Sequence, residues 1–123
     1  MSREAAPGPA GPAQGLAGER CRELPAGTPP LGDEEARTLS AAIAPEWRVG
    51  PDELRREINL KSFSAAFGLA TRIALLAEAQ GHHPDLEVGW GRLVVHLATH
   101  SVGGLSRNDF IMAARIDRLL AGG

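Results

Sequence analysis

What this chain lacks narrows its chemistry before any motif is read. A single cysteine, Cys21, excludes an intrachain disulfide and fits a reducing, cytoplasmic setting. Its proline- and glycine-rich surroundings offer nothing to stabilise a thiolate, which favours an incidental thiol over a nucleophile. There is no dense run of lysine or arginine, and the formal charge is −2, so neither nucleic acid nor an anionic membrane is expected as the main partner. No apolar run approaches the roughly 20 residues that span a bilayer. Residues 1–18 hold no continuous apolar segment of the secretory kind. Gly-x-Ser-x-Gly elbows, phosphate-cradling glycine loops and dinucleotide fingerprints are all missing, and with them the support for nucleophilic catalysis.

What is present fits one modest domain in 123 residues. Residues 1–30 carry six of the nine prolines and few bulky apolar side chains, which predicts a flexible tail ahead of a domain over 31–123. Asp33 is placed to cap a first helix that runs through Leu39 and Ile43 until Pro45. Residues 47–49 and 54–60 read as two strands joined at Gly50-Pro51-Asp52. From Ser62 to Gln80, Phe63, Ala66, Phe67, Ala70, Ile73, Ala74 and Ala77 recur at helical spacing, predicting a core-facing stripe that Gly81 and Pro84 bring to an end. A short strand is expected over 86–88. A β-branched one is expected over 92–99, with Leu93, Val95 and Leu97 inward and His96 and His100 on the other face. Ser106 with Asp109 three residues on opens the last helix. The order α-β-β-α-β-β-α predicts an α+β fold, a four-stranded antiparallel sheet with three helices on one face.

All four histidines, His82, His83, His96 and His100, fall within one short C-terminal stretch. Imidazole titrates nearest neutrality, so the cluster points to proton transfer or metal binding. His82 and His83 follow the end of the long helix, where unpaired carbonyls favour imidazolium by roughly 0.3–1 kcal/mol. Pro84 restricts His83 to extended backbone, so the two rings should point apart. His96 and His100 have zinc-like spacing, but on a strand their rings would lie roughly 13 Å apart. No cysteine pair or His-Glu-x-x-His helix supports a metal, and none is expected. Acid–base chemistry on a small organic substrate remains.

His82-His83-Pro84, five residues, Trp90, nine residues, His100, eight residues and Asp109 resembles the signature of the pterin-4a-carbinolamine dehydratases. The resemblance covers about 31–120, with residues 63–78 similar to the family's first long helix. It implies a dehydratase that removes water from 4a-hydroxytetrahydropterin to give quinonoid dihydropterin, with no metal or organic cofactor. It also implies a homodimer or homotetramer. His82, His83 and His100 are then the catalytic histidines, with His82 assigned as base, His100 as the acid at the hydroxyl, and the third orienting substrate. Glu78 matches an acidic family position that would orient an imidazole, or is a solvated helix charge. Pro84, Trp90, Thr99 and Asp109 are supporting candidates: Trp90 to stack on the pterin or pack at a sheet edge, Thr99 to hold the His100 loop, Asp109 as motif residue or helix cap. His96 lies outside the motif. Departures are Gly81, where many relatives are acidic, and Gly91, where many have Asn. The alternative is a non-catalytic binding scaffold, since one branch of the superfamily assists Rubisco assembly. The transcription-factor role of animal relatives is not expected.

Overall fold

The computed structural model describes residues 15–122. Helix α1 spans Asp33–Ser40, β1 Arg48–Val49, β2 Leu54–Asn59, α2 Phe63–Gln80, β3 Asp85–Gly89, β4 Arg92–Leu97 and α3 Arg107–Gly122. The strands form one antiparallel sheet in the order β1-β2-β4-β3, which puts the two six-residue strands at the centre. This is the expected α+β class.

Alternation along β4 builds the core. Leu93, Val95 and Leu97 have no exposed surface and lie opposite Ile58, Arg56 and Leu54 of β2. They meet Ile73 of α2 and Phe110 and Ile116 of α3 in one apolar cluster. Each such side chain contributes about 1.5–3 kcal/mol on burial, which fixes the register, because a one-residue slip would turn the set outward. Arg56 is the charged residue that alternation drives inward. Its guanidinium donates to Asp117 of α3 at 2.6 Å, and Asp117 also accepts from the Ala44 amide and the Trp47 indole. The opposite sheet face carries Arg55, Glu57, Asp85, Glu87, Arg92 and His96.

The helix boundaries follow local chemistry. Ser62 accepts from the Ala65 amide at 3.0 Å, and Gly81 ends α2 in the left-handed region at φ 68°. The buried arc of α2 is Ala66, Leu69, Ala70, Ile73 and Ala77. Phe63, Phe67 and Ala74, expected inward, are exposed. At 100° per residue they sit on the flank of that arc, which is turned towards Leu69, and the two phenylalanines stack on each other at 6.1 Å. Helix α1 stops at Ser40, short of Ile43, and Asp33 is its first residue, with Gly32 in the capping position. Strand β4 stops at Leu97, so His100 does not share a strand face with His96. It opens a 3-10 turn, His100–Val102.

The stretch before α1 departs from the expected tail. Residues 1–14 of that tail, with Gly123, lie outside the described residues. Residues 15–24 lie along α3 as a strap. Leu16 and Ala17 are buried, and the two carboxylate oxygens of Glu19 accept from Nε and Nη2 of Arg107 at 2.8 and 2.6 Å. Arg115 and Arg118 donate to the Glu19 and Ala17 carbonyls. Composition hid this because arginines almost a hundred residues away supply most of the anchorage.

Candidate active site

The site is assembled where α2 ends and α3 begins. Gly81 turns the chain out of α2, so the His82-His83-Pro84 corner leads directly into β3. The two rings engage different carboxylates. His82 Nε2 lies 2.6 Å from Asp109 Oδ1, with the imidazole 13 % exposed and the carboxyl fully buried. His83 Nε2 lies 2.6 Å from Glu78 Oε2, one turn back on α2, and both of those side chains are more than half exposed.

Asp109 ties the site together. Its Oδ2 accepts the Ser106 amide at 2.9 Å, half of the expected capping box, and the Thr99 hydroxyl at 2.7 Å. The Ser106 hydroxyl lies 2.7 Å from that of Thr99 and completes the chain. A carboxylate only accepts, so Ser106 donates to Thr99, Thr99 to Asp109, and His82 presents Nε2–H to the other oxygen. Three donors offset the cost of burying a charge that would otherwise be prohibitive. The same bonds fix the His82 tautomer: a neutral ring with its proton on Nε2 keeps Nδ1 as the proton acceptor. Asp109 is therefore both helix cap and histidine partner.

Thr99 also carries His100. Its amide donates to the Gly104 carbonyl at 2.9 Å, closing the loop that holds the 3-10 turn. His100 is exposed and lines a cavity of about 680 Å³ together with the turn Gly50, Pro51, Asp52 and Glu53 and with Ala98 and Gly103. His82 and His83 do not line that cavity. The connection from His82 to His100 runs through Asp109 and Thr99 instead.

Two histidine-region residues lie elsewhere. Trp90, 76 % exposed, occupies the β3–β4 turn, at the far end of β3 from the histidine corner. His96 stands on the outer sheet face between Glu53 and Glu87, with ring nitrogens 3.3 and 2.5 Å from their carboxylates. Partial burial pulls its pKa down, but the hydrogen bonds to Glu87 and Glu53 outweigh that and hold it above the ordinary value. Sequence reasoning did not assign Ser106 a place in this hydrogen-bonded chain. The Ser106-x-x-Asp109 spacing carries the signal, because the carboxylate that caps the helix start also has a second oxygen free for His82. Among the described residues, no helix is long and apolar enough to cross a membrane.

Comparison with known proteins identifies the family. The family model described as pterin 4 alpha carbinolamine dehydratase matches residues 29–119. A protein of Paracoccus denitrificans is 47 % identical over 93 residues, covering 74 % of this chain and 86 % of that protein. One of Methylococcus capsulatus is 40 % identical over 108 residues, 86 % of this chain and 94 % of the other. Both bear the provisional name pterin-4-alpha-carbinolamine dehydratase. The crystal structure of a Brucella melitensis protein, titled a transcriptional coactivator/pterin dehydratase, superposes with a TM-score of 0.67 at 33 % identity. It covers 73 % of this chain and 97 % of that one. A match over most of the chain, joined to a histidine corner anchored on a buried aspartate, establishes that this chain belongs to the pterin-4a-carbinolamine dehydratase family.

Proposed function

We propose that the protein dehydrates 4a-hydroxytetrahydropterin to quinonoid dihydropterin by histidine acid–base catalysis. The 4a-hydroxyl leaves as water after accepting a proton, the N5–H bond gives up its proton, and a C4a=N5 double bond forms. One proton is delivered and one removed, so no oxidant, reductant or metal enters the balance.

The observation that carries this reading is the 2.6 Å contact between His82 and Asp109. With Nε2–H committed to the aspartate, Nδ1 of His82 is the nitrogen that takes the N5 proton, and Asp109 stabilises the imidazolium that results. His100, exposed on the loop that Thr99 ties to Asp109, donates to the departing hydroxyl. His83, held by Glu78, orients the ring system. Pro84 keeps the corner rigid. The assembly we propose is a homo-oligomer acting in a reducing cytoplasm, with the exposed Phe63 and Phe67 as candidate contact surface.

The test is stopped-flow formation of quinonoid dihydropterin from 4a-hydroxytetrahydropterin. Wild type should accelerate it well beyond the spontaneous rate, and His82→Ala or His100→Ala should each lose on the order of 10²–10⁴-fold. A wild-type rate equal to the spontaneous one overturns the proposal and leaves the scaffold reading, which co-purification with a protein partner would then support.

A further inference from the structure

Consecutive peptide units of the strap grip the two helix ends that carry the His82–Asp109 pair. The Cys21 amide donates to Gln80 Oε1 at 2.9 Å, and Gln80 closes α2 two residues before His82. The next amide, of Arg22, donates to Asn108 Oδ1 at 2.9 Å, while Asn108 Nδ2 returns a bond to the Arg22 carbonyl at 2.7 Å. Asn108 immediately precedes Asp109 and is 6 % exposed. The Cys21 thiol also reaches the Asn108 carbonyl at 3.6 Å.

We infer that the strap is a positioning clamp, in which Gln80 and Asn108, held by residues 21 and 22, set the separation of His82 and Asp109. The inference rests on the dehydratase reading for its kinetic consequence, but its geometry stands independently. The ends of α2 and α3 are far apart in sequence. Among the hydrogen bonds described, the direct link across this gap is the His82–Asp109 bond, while Thr99 ties Asp109 to the end of β4. A bond between two side chains does not by itself hold two helices in register. Two adjacent peptide units bonded to both ends do, and the strap is itself anchored by buried Leu16 and Ala17 and by the Glu19–Arg107 fork. Asn108 spends an acceptor and a donor on one strap residue, a two-point contact that fixes direction as well as distance. Misplacing a catalytic group by 1 Å can cost about 10²-fold in rate. A brace one residue from Asp109 and two from His82 therefore acts on catalysis without touching substrate.

The experiment compares Asn108→Ala, Gln80→Leu and Gln80→Glu with the full-length wild type. Gln80→Glu keeps the oxygen that accepts from Cys21, whereas Gln80→Leu removes it. Three quantities are read: melting temperature, kcat and KM for dehydration, and the downfield Nε2–H signal of His82 in the NMR spectrum, assigned by its loss in His82→Gln. Asn108→Ala and Gln80→Leu should lower kcat about tenfold or more at nearly constant KM. They should also broaden the downfield signal, because the Nε2–H to Asp109 bond is no longer held at one length. Gln80→Glu should restore both. A lower melting temperature with unchanged His82 signal and kcat would make the strap purely structural and overturn the inference. Should the wild type lack dehydratase activity, the functional proposal falls, while the His82 signal still decides whether the clamp positions the pair.

Discussion

The Thr99 hydroxyl donates to Asp109 Oδ2 at 2.7 Å, and this one bond joins the loop that holds His100 to the carboxylate that holds His82. Both partners are buried, so removing the hydroxyl leaves a carboxylate oxygen short of a donor in a site that water reaches poorly. Thr99→Val keeps the shape and removes that donor. It should cost about 1–3 kcal/mol of stability by urea unfolding and lower the dehydration rate, because two histidine positions loosen together. Thr99→Ser, which retains the hydroxyl, should recover most of the rate. Equal rates for Thr99→Val and wild type would show that the two halves of the site are independent.

The strap supplies a second outcome. Deleting residues 1–24 removes buried Leu16 and Ala17, the Glu19 fork and the bonds to Gln80 and Asn108. The loss should be about 2–4 kcal/mol, which lowers the melting temperature by on the order of 10 °C or more in a domain of this size. A melting curve superimposable on that of the full chain would mean that the segment only rests on α3.

Cys21 provides a chemical probe of the same region. Burial pushes its thiol up to about 11, against weaker help from Arg115. At pH 8 about one thiol in a thousand is then ionised, against about a quarter for an ordinary cysteine of pKa near 8.5. Alkylation by iodoacetamide at pH 8 should be at least a hundredfold slower in the native protein than in urea. Native labelling at the rate of the unfolded chain would contradict the docked strap.

The outer sheet face should make stability depend on pH through His96. Its folded pKa lies above the ordinary histidine value near 6.5, so its contribution is complete below that value and is lost as pH rises through the folded pKa. Glu87 is lowered chiefly by its hydrogen bond to His96, so its share is present above the ordinary carboxylate value and is lost as pH falls through the depressed one. The pair is strongest between roughly pH 4.5 and 6.5. His96→Gln should therefore reduce the urea midpoint more at pH 6 than at pH 9. A difference independent of pH would show that the 2.5 Å contact to Glu87 carries no ionic component.

Much of this was legible along the chain because the forces involved are local or periodic. Alternation over 92–97 gave the buried face of β4, and the Ser62 and Gly81 signals gave both ends of α2. The order of His82, His83, Trp90, His100 and Asp109 gave the family. What escaped was set by tertiary contact. Phe63 and Phe67 fit the helical period of the core yet lie outside it, since periodicity does not reveal how wide an arc the sheet will cover. The strap escaped because Leu16 and Ala17 are few, and their partners Arg107, Arg115 and Arg118 declare themselves only when α3 is in place. The choice of Asp109 by His82 and of Glu78 by His83 depends on side-chain directions at a corner, which spacing alone does not encode.

The most direct measurement is the rate of quinonoid dihydropterin formation with wild type, His82→Ala, Asp109→Asn and the double variant. If His82 and Asp109 work as one acid–base unit, wild type accelerates the reaction, each single variant loses on the order of 10²-fold or more, and the double variant is no slower than the worse single. Losses that multiply in the double variant, or a wild type no faster than buffer, would contradict the account.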